Sequence, residues 1–501
     1  MAFMSVLFAI SIFVLLPIVG FLSFSVYVFY RHWRYQHIPG PTRDGFFSGN
    51  IPFIQNETRR VPGSGINACH FQWYQKYGPL FVFWIFHVPI VVIVDPDMAK
   101  KAIITLNLPK ASRVYSKVAS VFGQRVLGRG ILTEIDHETW HRKRAMLNPA
   151  FHRKYLMNLM ESFNSVGEEF LEELRKKADG KTSVRMADEF AKVTLDIIGK
   201  VGFGINLGTI ADPNSKFPSA VSKTLKGIES SFRNPFWRLQ FSMFPFQNSV
   251  IKSIKYLRAF AAKVIEERCS AVRNGEDTPK DVLEHILREA MENPHLDIED
   301  LMDNFLTIFV AGQETTSNQL SFTLYEILKQ PEIEKRILKE LEEILGSRND
   351  LEFEDLSKLE YLGQVLKEGL RLHPPVASIQ RMLPKGDSFG GYKLPPNTNV
   401  TVSYIGIQKS SKFWENSDVF DPDRFSPVHK ENILQSSYSP FSLGPRSCIG
   451  KTLAQVEAKV LMVRVLREFK FELLPGQTAA EEENVTLRPR DGVICTLTTR
   501  K

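Results

Sequence analysis

Phe441-Ser-Leu-Gly444-Pro-Arg446-Ser-Cys448-Ile-Gly450 sets one cysteine between two glycines, with an arginine two residues before it. The segment that follows, residues 451–471, is apolar nearly all round (Leu453, Ala454, Val456, Val460, Leu461, Val463, Val465, Leu466) and predicts a buried helix. Cys448 then stands just ahead of a helix N-terminus, where free N–H groups and the helix dipole favour a thiolate over a thiol. Gly444 and Gly450 allow backbone angles and close approaches that a Cβ would forbid. The stretch reads as a rigid loop presenting one thiolate to an electrophile. A lone cysteine is more often a small buried hydrophobe; the spacing of phenylalanine, glycines and arginine sets this one apart.

The other cysteines, Cys69, Cys269 and Cys495, lie far from it and from each other, which suits a reducing compartment and excludes a disulfide framework or a zinc ribbon. The chain has 501 residues, 43% hydrophobic and 24% charged, enough for one large globular body with a real core. A net charge of +7 is spread along it. The charge alone fits an anionic membrane surface, an acidic protein or nucleic acid; nucleic acid is not among the expected partners.

Residues 3–30 carry no charged side chain and are long enough to span a bilayer. Arg31, His32 and Arg34 follow, which places the C-terminal side in the cytosol. Residues 31–45, with Pro39-Gly40-Pro41, read as a basic Pro/Gly hinge between the anchor and a catalytic body over residues 46–501. Strands are predicted over residues 80–85, 89–94, 376–383 and 399–406, and a hairpin from Asn484 onward. Residues 112–133, with Gly123, Gly128 and Gly130, read as a loop-rich connection. Residues 155–289 have mostly helical periodicity. Within them Phe232, Phe236, Trp237, Phe241, Phe244 and Phe246 interleave with Arg233 and Arg238, a mixture that suits either a membrane interface or the domain's own core. Two sequons, at Asn56 and Asn484, are read as chance matches in a cytosolic domain.

Residues 297–330 read as one long helix closed by Pro331. At its centre Ala311 and Thr315 share a face, and a threonine hydroxyl can bond the carbonyl four residues back, loosening the helix beside a small residue. Glu314 points about 100° away from Thr315. Farther on, Glu368 stands in an apolar helical stripe, where a buried carboxylate needs a partner; Arg371 at i+3 supplies one. His137-Glu138-Thr139-Trp140-His141 fits the zinc-protease helix pattern, yet Arg144 and Leu147 occupy the positions where the longer version needs glycine and histidine. The same stretch sets Trp140 and Arg144 on one helical face.

The Cys448 loop resembles the haem-ligand loop of the cytochromes P450, and the other motifs follow in that family's order along nearly the whole chain after the hinge. The resemblance implies a mainly α fold with a small β region, preceded by one N-terminal transmembrane helix. It implies haem b held by Cys448 as the axial ligand of iron. Phe441 is expected near the sulfur, and Arg446, Trp140, Arg144 and Arg381 at the haem propionates. Thr315 is expected to hydrogen-bond the oxygen that the iron activates, and Glu314 to help relay protons. Glu368 and Arg371 match the family's structural pair, which Arg424 completes. The implied reaction is monooxygenation of a lipophilic C–H bond by O2, with electrons from NADPH through a flavoprotein reductase docking at charges such as Arg142, Lys143 and Lys451. The endoplasmic reticulum membrane is the implied location, with membrane lipid around the anchor. The segments 121–125, 177–180, 303–312 and 351–355 resemble most the sterol side-chain hydroxylases of the family, which act on cholesterol. Fatty-acid or xenobiotic hydroxylation is the second choice. A haem-thiolate isomerase stays open, against which the Glu314-Thr315 pair argues, as does a zinc peptidase through His137, Glu138 and His141.

Overall fold

The computed structural model describes residues 2–61, 63, 65–234, 237–292, 297–434 and 436–500. They form two compact units, Met1–Leu108 with Ser378–Gly406, and Pro109–Ala377 with Ile407–Lys501.

The smaller unit is built on a four-stranded sheet in the order Leu80–Ile85, Val88–Ile93, Thr398–Ser403, Ser378–Leu383, with only the middle pair parallel. The strand Thr398–Ser403 is buried throughout, as its Val-Thr alternation allows when both faces are covered. The N-terminal helix runs over Ala2–Tyr35, so Arg31, His32 and Arg34 belong to the helix rather than to the expected hinge. Its part Phe13–Tyr35 is long and apolar enough to cross a bilayer. Its last turns dock on the sheet: the His32 ring meets Trp84 edge-on at 4.5 Å and Tyr35 Oη lies 2.7 Å from Thr398 Oγ1. The chain then turns at Pro39, whose carbonyl accepts from Val82 N.

The larger unit is mainly helical, around a helix over Ile298–Lys329. Asp297 caps it by accepting from Glu299 N, and Pro331 opens the next helix after the single residue Gln330. Its side chains are buried over 301–310 and again over 316–327. The helix Lys451–Glu468 is the second buried rod. It stops three residues short of the sequence reading because Phe469–Leu473 pairs antiparallel with Ile494–Thr499, which also pairs with Val184–Arg185. Phe469 and Phe471 are buried while Lys470 and Glu472 are exposed, the period of a strand. The residues from Asn484 onward do not form the expected hairpin with each other: Leu487–Pro489 pairs with the upstream Glu481–Glu483, which leaves Asn484 and Thr486 in the turn, and Ile494–Thr499 is taken by Phe469–Leu473.

Residues 112–133 are more ordered than their composition predicts. Ser112–Ala119 is a helix, and Ser120–Val121 pairs with Gln124–Arg125 as a hairpin. The glycines that suggested a loop all follow the helix. Gly128 and Gly130 serve close packing: a Cβ on Gly128 would lie 2.0 Å from Asp303 Oδ2 and one on Gly130 2.1 Å from Thr307 Oγ1. Asp303, fully buried on the central helix, accepts from Arg125 Nε and Nη2, Arg129 N and Arg258 Nη1. Four donor groups thus converge on one buried carboxylate.

The aromatic stretch at 232–246 divides. Trp237 and Phe246 pack on Phe122 at 5.1 and 6.2 Å, while Leu239 and Phe241 are 72% and 75% exposed. Phe236 lies outside the described residues.

Candidate functional site: a cysteine loop and a notched helix

The cysteine loop doubles back on itself. Cys448 N donates to Phe441 O at 2.9 Å, closing a turn in which Ser442 and Gly444 take φ of 65° and 69°. Gly444 therefore has the conformation that favours glycine. Gly450 does not: its φ is −83°, it starts the helix Lys451–Glu468, and an added Cβ would sit 4.0 Å from Cys448 Sγ.

Three residues of the helix His137–Leu147 and the loop meet beside the sulfur. Arg144 Nη1 donates to Ser447 O at 2.7 Å, and Arg144 Nε to Asn148 Oδ1 at 2.8 Å. The Arg446 guanidinium lies 4.4 Å from the Trp140 ring and donates to Glu134 O. Contacts thus link Trp140 to Arg446, Arg144 to Ser447 and Phe441 to Cys448. Arg381 is buried on the strand Ser378–Leu383 of the smaller unit, where Nη1 donates to Gln380 O.

The Cys448 side chain remains accessible, yet protein crowds around it. That burial pushes its thiol above the ordinary value; the Gly450 N–H and the charges of Arg144 and Lys451 oppose it. Burial and the helix N-terminus therefore act on this thiol in opposite directions, and burial alone would not favour the thiolate. A metal ion would, because a coordinating thiol loses its proton to the metal.

The central helix carries the second part of the site. Thr315 Oγ1 donates to Ala311 O at 2.8 Å, the bond expected from the sequence. Ala311 is exposed and Gly312, Glu314 and Thr315 are partly accessible, an open notch between two fully buried stretches. Thr316 on the next position bonds Glu457, which ties this helix to the one after the cysteine. Glu457 is buried and held protonated well above the usual carboxylate range by desolvation. Sequence reasoning missed it, although a lone acid at Val456-Glu457-Ala458 in an apolar run is a signal.

The structural pair is present. Arg371 and Glu368 are both fully buried and joined by two bonds, Nε–Oε2 at 2.8 Å and Nη2–Oε1 at 2.7 Å. Arg371 Nη1 also donates to Gln408 O and Ser417 O. Arg424 Nε comes within 3.3 Å of Glu368 Oε1 and its Nη2 donates to Asn416 O. One ion pair therefore pins the irregular chain between Gln408 and Arg424, which leads into the cysteine loop.

Lys143 is not available for docking: it is 2% exposed, with Nζ donating to Arg129 O and facing Glu134 and Asp300. Arg142 and Lys451 are exposed. His137, Glu138 and His141 are exposed on one helix, and among the described residues no third metal-ligating side chain joins them.

At the start of the C-terminal hairpin, Glu481 Oε1 accepts from Lys409 Nζ at 2.8 Å and lies 3.0 Å from His373 Nδ1. Burial pushes its carboxyl up, but Lys409 and His373 outweigh that and hold it down to about 2, below its ordinary 4.5. A depressed carboxyl stabilises the fold above pH 4.5 and loses that contribution as pH falls towards 2. Glu481→Gln is expected to cost about 2 kcal/mol at neutral pH and to flatten the acid limb of the stability curve, read by denaturant unfolding across pH.

One accessible sulfur, joined among the described residues by no cluster of metal-ligating side chains, suits a metal that arrives with its own ligands. Two guanidiniums beside it suit a cofactor bearing carboxylates, since the two side-chain bonds described for Arg144 leave other N–H donors of its five. The residues fit haem. The comparisons agree. The sequence model of the family described as "Cytochrome P450" matches residues 39–496. Cytochrome P450 4d2 of Drosophila melanogaster is 29% identical over 84% of this chain and 86% of its own. Cytochrome P450 3A14 of Cavia porcellus is 28% identical over 90% of both chains. Cytochrome P450 3A12 of Canis lupus familiaris is 28% identical over 94% of this chain and 97% of its own. With its thiol loop, its notched helix and a family match that spans nearly everything after the N-terminal helix, the chain belongs to the cytochrome P450 family, a haem-dependent monooxygenase supplied with electrons from NADPH through a reductase.

Proposed function

We propose that this cytochrome P450 hydroxylates a sterol side chain, as cholesterol 24-hydroxylases do, from the cytosolic face of the endoplasmic reticulum. The observation that carries oxygenation is the accessible notch at Ala311–Thr315 in an otherwise buried helix. When bound, haem activates O2 with two electrons from NADPH, one oxygen atom entering a C–H bond and the other leaving as water. Cys448 is the residue to hold the iron. Arg144, Arg446 and Trp140 are those to orient the propionates. The Thr315 hydroxyl, fixed on Ala311 O, keeps lone pairs for a polar group seated in the notch. Glu314 is the proton store beside it: its carboxyl lies above the ordinary range because burial disfavours the charged form. Thr315→Val is expected to leave haem bound and to lower product per NADPH by roughly 10–100-fold, with hydrogen peroxide released instead. Product and peroxide assays on one preparation check it.

The sterol assignment rests on four segments, and their places explain why they mark lineage better than specificity. Arg125 of the first pairs with Asp303 of the third. Asp179 of the second bridges Thr498, and Asp355 of the fourth pairs with Arg348. The first two are tertiary ties and the third is local, seven residues apart. The anchor reading rests on Phe13–Tyr35 and on the basic residues at its end; the exposed Leu239, Phe241 and Phe244 offer a second apolar contact. Titration with sterols and with fatty acids separates the choices: a sterol-induced low-to-high-spin change is expected. A response to other lipids and to no sterol contradicts the assignment.

A further inference from the structure

The acid on the central helix is not paired with its neighbour Thr315. Thr486 Oγ1 donates to Glu314 Oε1 at 2.8 Å. Asn318 Nδ2, one turn along the same helix, donates to Thr486 Oγ1 at 3.0 Å. The two bonds fix the hydroxyl: its lone pair is taken by the amide, so its proton faces the carboxylate. Glu314 Oε2 is shielded from solvent and has no partner. The carboxyl is thus held by one oxygen while the other stays uncommitted.

Thr486 is buried in the turn of the C-terminal hairpin, and that hairpin is pinned on both strands. Glu481 is held by His373 and Lys409, Leu487 N donates to Pro375 O, and Arg233 Nη2 donates to Glu483 O. A threonine on a mobile turn could not orient an acid; this one is set on a fixed element. The threonine of the Asn484 sequon is therefore spent on an internal bond.

We infer that Thr486 is a positioning residue for the oxygen-side chemistry: its hydroxyl holds the Glu314 carboxyl on one oxygen so that the other can deliver a proton. The inference rests on the role given above to Glu314. The charged groups facing that carboxyl are Arg488 on the hairpin and Glu229 on the helix Lys216–Arg233. They act in opposite directions, the cation favouring ionisation and the carboxylate opposing it.

The test uses the full-length protein and does not depend on turnover. Infrared difference spectra across pH follow the protonated carboxyl band, assigned to Glu314 by its loss in Glu314→Gln. Thr486→Val removes a bond to the charged form. The ionisation midpoint should rise by about one pH unit, and the carbonyl band should move to higher wavenumber. Asn318→Ala should give a smaller shift in the same direction and serves if Thr486→Val does not fold. Thr486→Ser should restore both readouts. On the haem-loaded enzyme, Thr486→Val should release a larger share of electrons as peroxide, and Thr486→Ser should not. An unchanged midpoint and band in folded Thr486→Val overturns the positioning role, whatever the enzyme's activity. A shifted midpoint with unchanged peroxide release overturns the role of Glu314 in the chemistry, and with it the proposal, while leaving the hydrogen bond in place.

Discussion

Arg371→Ala is expected to destabilise the larger unit by about 3–5 kcal/mol, enough to prevent accumulation of folded protein at growth temperature. Removal leaves Glu368 inside with no bidentate partner and strips donors from the carbonyls of Gln408, Ser417 and Val419. Arg424 does not rescue it, since its Nε makes no hydrogen bond and its Nη2 is committed to Asn416 O. Burial already pushes the Glu368 carboxyl up, against the pull of Arg371. Without that pull it rises further and takes a proton. The variant's stability therefore falls as pH rises above the unfolded value of 4.5, so the loss is larger at alkaline than at mildly acidic pH. Denaturant unfolding at two pH values checks the sign. The double variant Glu368→Leu, Arg371→Met is expected to recover part of the stability, because a buried pair costs desolvation that apolar side chains do not. It would still leave the carbonyls at Gln408, Ser417 and Val419 without donors.

Cys448→Ala is expected to abolish iron ligation by thiolate, and oxygenation with it, while the protein keeps its fold. None of the other three cysteines lies in this loop. Cys495 is buried in the strand Ile494–Thr499 and Cys69 in the helix Ile66–Tyr77. Cys269 lies far along the chain on the helix Phe244–Arg273. Alanine fits the space, and the loop's own bond, from the backbone N–H at 448 to Phe441 O, needs no sulfur. Cys448→Ser is a sharper control. A hydroxyl is a harder ligand than a thiolate and donates less electron density to iron. Circular dichroism should match the native protein in both variants.

Legibility in the sequence followed locality. The cysteine loop, the central helix with its Asp297 cap and Pro331 stop, and the Glu368–Arg371 pair all depend on residues a few positions apart. The Thr315–Ala311 bond is four residues long and was readable for the same reason. What was missed joins distant residues. Thr486 meets Glu314 across 172 positions, and Arg125 meets Asp303 across 178. Lys143 looked like a surface charge because a lysine beside two arginines usually is one; its burial depends on Glu134 and Asp300 folding over it. The helix after Cys448 ends at Glu468 because Phe469 and Phe471 alternate with Lys470 and Glu472, a strand signal too short to stand out until Ile494–Thr499 pairs with it. Residues 112–119 were averaged with the glycines beyond them, and their helix is steadied from outside by Lys117 Nζ on Ser231 O.

The absorption spectrum of the purified protein, reduced and exposed to carbon monoxide and run beside a metal analysis, tests the haem-thiolate centre most directly. A red-shifted Soret band with about one iron per chain, lost in Cys448→Ala, is the expected result. Zinc without haem, or a band unchanged in Cys448→Ala, would contradict it and return attention to His137, Glu138 and His141.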